Sequence, residues 1–123
     1  MVQEDKKLLK DLTARLSYGV KGIITYDKSN TTFTVKGIDN NVLHLSDAED
    51  CYVEDFKPYL RPMSSMTEEE KKELGRISCE GNIEHKYGIF YRSQDYLNSI
   101  HVDYRGLIEK GLALEAPEGM YNN

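Results

Sequence analysis

The hydrophobic pattern of this chain changes its period at Gly19, and no other feature constrains the fold as strongly. Four leucines between positions 8 and 16 share one helical face, which predicts an N-terminal helix over Gln3–Leu16. Asp11 is expected on the solvent-facing side of that helix, within reach of Arg15 one turn later. Gly19 ends the helix, because glycine readily adopts the left-handed conformation that closes a helix.

Beyond Gly19, apolar residues recur at every second position, which is the period of a strand. Strands are predicted over 20–26, 31–38, 42–46 and 51–53. Asp27–Asn30 and Asp39–Asn41 separate the first three strands as tight turns, since asparagine and aspartate tolerate turn conformations. Short strands joined by tight turns predict an antiparallel β-meander or a small SH3-like barrel.

Two prolines interrupt the segment that follows these strands. Pro58 and Pro62 predict a stiff, irregular segment, because proline disfavours both a regular helix and a central strand. Thr67 and Glu70 then form a capping box, in which each side chain accepts a hydrogen bond from the other residue's amide. This motif predicts a short polar helix that ends near Gly75.

The C-terminal third of the chain has weaker signals. Residues 77–92 show no clear pattern, although Ile89–Tyr91 has the composition of a strand. Ser93 and Asp103 are candidate N-caps for two short helices. The helices that they predict cover 94–101 and 104–110.

Leucine alternation at Leu112–Leu114 predicts a last short strand. The elements together predict an α+β fold in a single domain over residues 1–123. Its parts are an N-terminal helix, a small antiparallel sheet and short C-terminal helices. A chain of this length buries roughly two thirds of its unfolded surface, so it needs neither a disulfide nor a metal for stability.

The charge balance narrows the classes of partner. With 21 acids against 16 bases the net charge is −5, which disfavours nucleic acid because phosphate contacts need a basic face. No apolar run approaches the length of a membrane span, and two cysteines are too few for a disulfide framework. The N-terminus lacks the profile of a signal peptide. These features predict a cytoplasmic protein with no membrane partner.

Catalytic, metal and cofactor motifs are absent from the sequence, which favours a non-catalytic protein. The cysteines and histidines lack the paired spacings of a zinc site, and no glycine-rich phosphate loop or Gly-x-Ser-x-Gly elbow occurs. No cofactor or metal ligand is therefore assigned. The alternative is a small hydrolase acting on a nucleotide-like substrate. Its candidate residues are His44, His85, His101 and nearby acids.

Tyrosines close to arginines are the most unusual feature of the composition, which includes nine tyrosines and no tryptophan. Tyrosine joins a rigid apolar ring to a polar tip, and arginine binds carboxylate or phosphate through two parallel hydrogen bonds. The predicted ligand-binding residues are Tyr59, Arg61, Tyr91, Arg92, Tyr104 and Arg105. They indicate a small anionic, nucleotide-like ligand. The alternative is that these tyrosines only wall a small core.

The first and last of these tyrosine–arginine pairs are expected to share one face. Pro58 and Pro62 would stiffen the first pair and so lower the entropic cost of binding. Asp103 as an N-cap would place the last pair at a helix start, where free backbone amides attract anions.

Three blocks of the sequence resemble short uncharacterised proteins encoded by phages and prophages of gut anaerobic bacteria. The blocks are 10–20 (KDLTARLSYGV), 57–70 (KPYLRPMSSMTEEE) and 103–117 (DYRGLIEKGLALEAP). The resemblance implies a phage or prophage accessory protein in the cytoplasm of a bacterial host cell. Its partner would be a host small molecule, sequestered in an anti-defence role, or a host protein. A structural role in the virion is a further alternative, and a homo-oligomer is compatible with each.

Overall fold

An N-terminal helix, a six-stranded sheet and further short helices make up the fold in a computed structural model of the chain. The structure describes residues 3–46, 48–80 and 86–121, except for the side chains of residues 78–80 and 86–91. The helices are α1 (Gln3–Arg15), α2 (Glu68–Glu80) and α3 (Lys86–Ser99). The strands are β1 (Lys21–Ile24), β2 (Phe33–Asp39), β3 (Val42–Leu45), β4 (Cys51–Tyr52), β5 (Phe56–Leu60) and β6 (Leu114–Glu115). The predicted α+β class is confirmed.

The sheet has the strand order β4-β3-β2-β1-β5-β6. The first four strands form the predicted antiparallel meander, since each pairs antiparallel with its sequence neighbour. β5 then returns to the other side of β1, also antiparallel. β6 runs parallel to β5, so the whole sheet is mixed and not antiparallel throughout. Over the described residues, β4 and β6 lie at opposite edges of the strand order.

The prediction that Pro58 lies outside the sheet is wrong, because β5 sits between β1 and β6. The Thr25 amide donates to the Asp55 carbonyl at 2.8 Å, and bonded pairs alternate with non-bonded pairs in an antiparallel ladder. Pro58, opposite Gly22, therefore occupies a non-bonded position, and its nitrogen faces away from β1. On that far side the pairing with β6 begins only at the next residue, Tyr59. The missing N–H is thus not needed at this position.

The main hydrophobic core lies between α1, the sheet and the segment before β6. Each fully buried leucine in it contributes about 1.5–3 kcal/mol of transfer free energy. The core residues are Leu8, Leu12, Val20, Ile24, Val35, Leu43, Leu45, Cys51, Val53, Phe56, Leu60, Leu107 and Ala113. A smaller cluster of Met66, Leu97 and Val102 joins α3 to the chain around it.

The prediction that Asp11 faces solvent is wrong. The buried positions of α1 are Leu8, Asp11, Leu12 and Arg15. They follow the i, i+3, i+4, i+7 spacing of one helical stripe, so the leucines turn Asp11 and Arg15 inward with them. The predicted pair does form, with Arg15 Nε donating to Asp11 Oδ2 at 2.9 Å, but both side chains are fully buried.

The capping box at the start of α2 is present. The Glu70 amide donates to Thr67 Oγ1 at 3.1 Å, and the Thr67 amide donates to Glu70 Oε1 at 2.8 Å. The predicted end near Gly75 is wrong, because α2 continues to Glu80. A glycine inside a helix costs only about 1 kcal/mol, and α2 packs against α3.

The helix predicted over 94–101 is confirmed over residues 94–99, but its start at Ser93 and the strand predicted at Ile89–Tyr91 are wrong. A single helix, α3, covers both, so Ser93 lies inside a helix and does not cap one. Its length of 14 residues reflects packing against α1 and α2, which a local pattern does not reveal.

The helix predicted over 104–110 is replaced by turns. Gly106 has a φ of 72°, which a right-handed helix excludes. Asp103 accepts hydrogen bonds from the amides of Leu107 and Ile108, both at 2.9 Å, four and five residues ahead. An N-cap would reach two or three residues ahead, so Asp103 closes a wider loop instead. Across the described residues no helix combines the length and the apolar character required to cross a membrane.

Candidate functional site

Arg61 is fully engaged by the protein itself. Its Nη1 and Nη2 donate to the two carboxylate oxygens of Glu70 at 2.8 and 2.7 Å. The remaining donors reach the Ser65 hydroxyl, the Ser65 carbonyl and the Ile100 carbonyl, at 3.3, 3.0 and 3.1 Å. All five guanidinium N–H groups thus have acceptors. The hydrogen bonds from Arg61 lower the pKa of Glu70 to about 2. This arginine joins β5 to α2 and to the end of α3.

The backbone beside Arg61 carries the segment that follows α3. The Arg61 amide donates to the His101 carbonyl at 2.8 Å, and the Asp103 amide donates to the Arg61 carbonyl at 2.7 Å. Val102 therefore pairs with Arg61 as an isolated parallel bridge. This bridge links the chain segments of the first and the last predicted tyrosine–arginine pairs.

Tyr104 and Arg105 contact each other and a buried ionic cluster. Asp11 accepts from Arg15 Nε on one oxygen and from Arg105 Nη1, at 2.7 Å, on the other. The Tyr104 ring lies close to both guanidinium groups, with its centroid 5.5 Å from Arg15 Cζ and 4.8 Å from Arg105 Cζ. Cation–π attraction and the shared carboxylate hold the two arginines in place. Arg105 is 20% exposed, whereas Asp11 is fully buried.

Arg105 lies at the lip of a groove between α1 and α3 with a volume of about 670 Å³. Lys6 and Lys10 of α1 line the same groove. Its only described carboxylate is Asp95, which accepts a hydrogen bond from the Tyr18 hydroxyl. The remaining lining consists of apolar and uncharged polar side chains: Leu9, Thr13, Ala14, Gln94 and Asn98. The groove therefore combines a basic rim with a largely apolar interior.

Four buried polar atoms have no hydrogen-bond partner among the described residues. They are Arg15 Nη1, Asn98 Oδ1, His101 Nδ1 and Tyr104 Oη. Three of the four belong to the short segment 98–104, and Arg15 reaches that segment through a 2.7 Å hydrogen bond to the Val102 carbonyl. Such atoms are rare in native proteins and usually meet water or a ligand. Asn98, which is 5% exposed, is the one that also lines the groove.

The predicted site residues divide between two places. Arg105 lines the groove, while Arg61 lines a second hollow of about 430 Å³ beside Pro62 and residues 115–119. The side chains of Arg61 and Arg105 are thus not brought to one hollow, although a backbone bridge connects their segments. The helix start predicted for Tyr104 and Arg105 is also wrong, because turns replace that helix.

The other predicted residues lie elsewhere. Tyr59 is half-buried in β5, and Arg92 is exposed on α3. The Tyr91 side chain lies outside the described residues. A role for any of the six residues in ligand binding stays a prediction.

Tyr121 forms a contact that the sequence did not reveal. Its hydroxyl accepts from the Lys21 amide at 2.9 Å and lies 2.7 Å from the Tyr59 carbonyl, between β1 and β5. Its ring stacks on His101 with centroids 3.7 Å apart. Burial raises the pKa of Tyr121 to about 12 and, with the nearby charge of Arg15, lowers the pKa of His101 to about 4.

The histidines do not converge over the described residues. His44 is exposed on β3, with Nδ1 3.0 Å from Asp50 Oδ2. His101 lies beside β5, and β3 and β5 are three places apart in the strand order, or ~14 Å at the usual strand spacing. His85 lies outside the described residues.

The sequence interpretation missed the groove residues Lys6, Lys10, Gln94 and Asn98. The two lysines are four residues apart on α1, and the two carboxamides are four residues apart on α3. Each pair therefore lies on one helical face. That spacing was visible in the sequence, but the facing of the two helices was not.

Neither a cluster of metal ligands nor similarity to known proteins assigns a role to the groove. No group of three or more histidine, cysteine or acidic side chains converges for a metal ion within the described ranges. Comparison of the chain with family models, with curated proteins and with solved structures finds no match.

Proposed function

We propose that this protein is a non-catalytic accessory protein that binds a small anionic ligand in the groove between α1 and α3. The observation that carries the proposal is the basic rim of that groove. Lys6, Lys10 and Arg105 line it, and Asp95 is the single acid among the described lining residues, in a chain whose net charge is −5. A local excess of positive charge in an acidic protein attracts anions to that place and away from the rest of the surface.

Arg105 is suited to hold the anion. Asp11 and the Tyr104 ring fix the position of its guanidinium, so little conformational freedom is lost on binding. Only Nη1 donates a hydrogen bond within the described residues, which leaves Nε and Nη2 available. A guanidinium edge of this kind binds a carboxylate or phosphate through two parallel hydrogen bonds.

The shape of the groove suits a small molecule better than a protein segment. Its volume of about 670 Å³ lies within the usual range for small-molecule sites. Leu9 and Ala14 offer an apolar surface for the body of a ligand, while the bases hold its charge. The apolar side chains and the bases of the groove are suited to holding a ligand, which supports sequestration.

The resemblance to phage and prophage proteins supports the accessory role. Two of the three resembling blocks, 10–20 and 103–117, contain Lys10 and Arg105 and so meet at the groove. A protein of this kind would act by sequestering an anionic host molecule in the host cytoplasm.

The test is calorimetric titration with inorganic pyrophosphate and with nucleoside monophosphates at low and moderate salt. The double variant Lys6→Gln/Lys10→Gln should bind on the order of tenfold more weakly than the wild type, because two charges have left the rim. The control is Lys71→Gln/Lys72→Gln, which removes two exposed lysines from α2 and should leave binding unchanged. Equal binding by the two double variants would contradict the proposal, as would a wild type that binds none of these anions.

A further inference from the structure

We infer that the ligand of the α1/α3 groove carries an amino-bearing heterocycle beside its anionic group, and that Asn98 is the residue that recognises it. The inference rests on the proposed function and adds a ligand class and a specificity-determining residue. Its starting point is an unsatisfied acceptor. Asn98 Oδ1 is buried and has no hydrogen-bond partner within the described residues, while the side chain lines the groove.

An unpaired buried carbonyl oxygen costs roughly 1–3 kcal/mol relative to a paired one. Asn98 bears this cost in the interior of the fold, where it is 5% exposed. Leucine has a similar volume and would avoid the cost. Oδ1 itself is sealed from solvent, so a small rotation of the Asn98 carboxamide would bring it to the groove surface. A ligand N–H there would give Oδ1 its partner and stabilise the complex.

The neighbouring groups indicate that the ligand's hydrogen-bond donor belongs to a planar ring. Gln94 lies one turn before Asn98 on α3, so two carboxamides line the groove from the same helical face. The apolar side chains of Leu9 and Ala14 line it from α1. A planar heterocycle fits between an apolar wall and a polar edge, with its N–H groups toward the carboxamides.

A carboxamide pairs with an adjacent donor and acceptor on one edge of a ring. Adenine presents such an edge through its exocyclic amino group and the neighbouring ring nitrogen, and asparagine and glutamine are its usual side-chain partners. The basic rim would bind the other end of the ligand, where Lys6, Lys10 and Arg105 donate hydrogen bonds to a phosphate. The structure thus assigns the ligand to the class of adenine-type nucleotides.

The test compares two ligands that differ in one amino group: adenosine 5′-monophosphate and purine riboside 5′-monophosphate. The wild type should bind the first about tenfold more tightly, the usual gain from one added hydrogen bond to a buried acceptor. In Asn98→Leu that ratio should fall to about one. Affinity for inorganic pyrophosphate should be the same in wild type and variant, because the basic rim is intact.

Asn98→Leu removes an unsatisfied polar atom, so it should fold, and a urea unfolding curve verifies this. If Asn98→Leu keeps the wild-type ratio, or the wild type binds both nucleotides equally, Oδ1 meets only water and the inference is wrong. In both of those cases anion binding persists and the proposed function stands. If the wild type binds neither nucleotide nor pyrophosphate, the proposed function and the inference fail together.

Discussion

Arg61 and Arg105 are both arginines beside tyrosines, yet the protein uses them in opposite ways. Arg61 donates all five of its N–H groups to neighbouring residues, including both oxygens of Glu70. Arg105 donates through Nη1 to Asp11, and its side chain lines the groove. Arg61 connects structural elements. Arg105 is held in place by Asp11 and Tyr104, and its Nε and Nη2 donate no hydrogen bond within the described residues. The two roles differ in how many guanidinium N–H groups remain available for a ligand. The neighbouring residues in the sequence do not reveal this difference.

The largest expected difference between the two arginines is in stability. Arg61→Met keeps the aliphatic stem but leaves Glu70, 11% exposed, without its cation. Breaking such a nearly buried pair should lower the free energy of unfolding by about 3 kcal/mol, measured by urea denaturation. Lys71→Met is the matched control, because its exposed pair with Glu68 should contribute well under about 1 kcal/mol. If both variants unfold at the same urea concentration, Arg61 is not a junction.

Acid should test the Arg61 junction through Glu70 and through His101, whose carbonyl accepts from the Arg61 amide. The folded pKa of Glu70 is about 2, below its ordinary value of 4.5, so the stability from this pair is complete above pH 4.5 and is lost as the pH falls toward 2. The folded pKa of His101 is about 4, below 6.5, so the unfolded chain gains protons first and stability is lost between pH 6.5 and 4. The free energy of unfolding should therefore fall continuously as the pH is lowered from about 6.5 to about 2.

Two variants separate these contributions to the pH profile. Arg61→Met should flatten most of the part below pH 4.5, because only the hydrogen bonds from Thr67 then lower the pKa of Glu70. It should also reduce the part above pH 4.5 slightly, because the charge of Arg61 helps to lower the pKa of His101. His101→Asn should flatten only the part above pH 4, and asparagine tolerates the left-handed backbone, φ 62°, of that position. A profile unaltered by either substitution would show that other groups control acid stability.

The smallest effect on stability is expected at Arg105. Arg105→Gln leaves Asp11 paired with Arg15 but removes one hydrogen bond from its fully buried carboxylate, so the free energy of unfolding should fall by about 1–2 kcal/mol, less than in Arg61→Met. Binding of pyrophosphate should weaken on the order of tenfold in the same variant, because a charged donor of this kind contributes about 1.5–3 kcal/mol. Arg61→Met serves as the control, since its folded fraction should bind with wild-type affinity. The reverse result, in which Arg61→Met weakens binding and Arg105→Gln does not, would exchange the two roles.

The sequence predicted those parts of the fold that short-range patterns determine. The N-terminal helix, the four strands of the meander and the capping box at Thr67 each depend on residues a few positions apart. Pro58 was misjudged because a proline is excluded from a strand only where its neighbour needs the N–H, and the register with β1 decides that. The helix over 104–110 was predicted wrongly because Asp103 closes a loop in which Gly106 has a φ of 72°.

The candidate site was predicted only in part for the same reason. Arg105 was named, but its partner Asp11 lies 94 positions earlier and was expected to face solvent. Asn98 was not named, because an unsatisfied carbonyl oxygen is a property of the packed chain. No local pattern distinguishes a satisfied asparagine from an orphaned one.

The hydroxyl of Tyr121 has a consequence for the order in which the molecule assembles. It completes the junction of β1 and β5 through Lys21 and Tyr59, which precede it by 100 and 62 positions. Contacts of such separation form late, because closing a long loop costs chain entropy before any bond is gained. Every residue of β1 to β5 has left the ribosome well before residue 121 does. The hydrogen bonds that Tyr121 adds between β1 and β5 can therefore form only well after both strands have been synthesised.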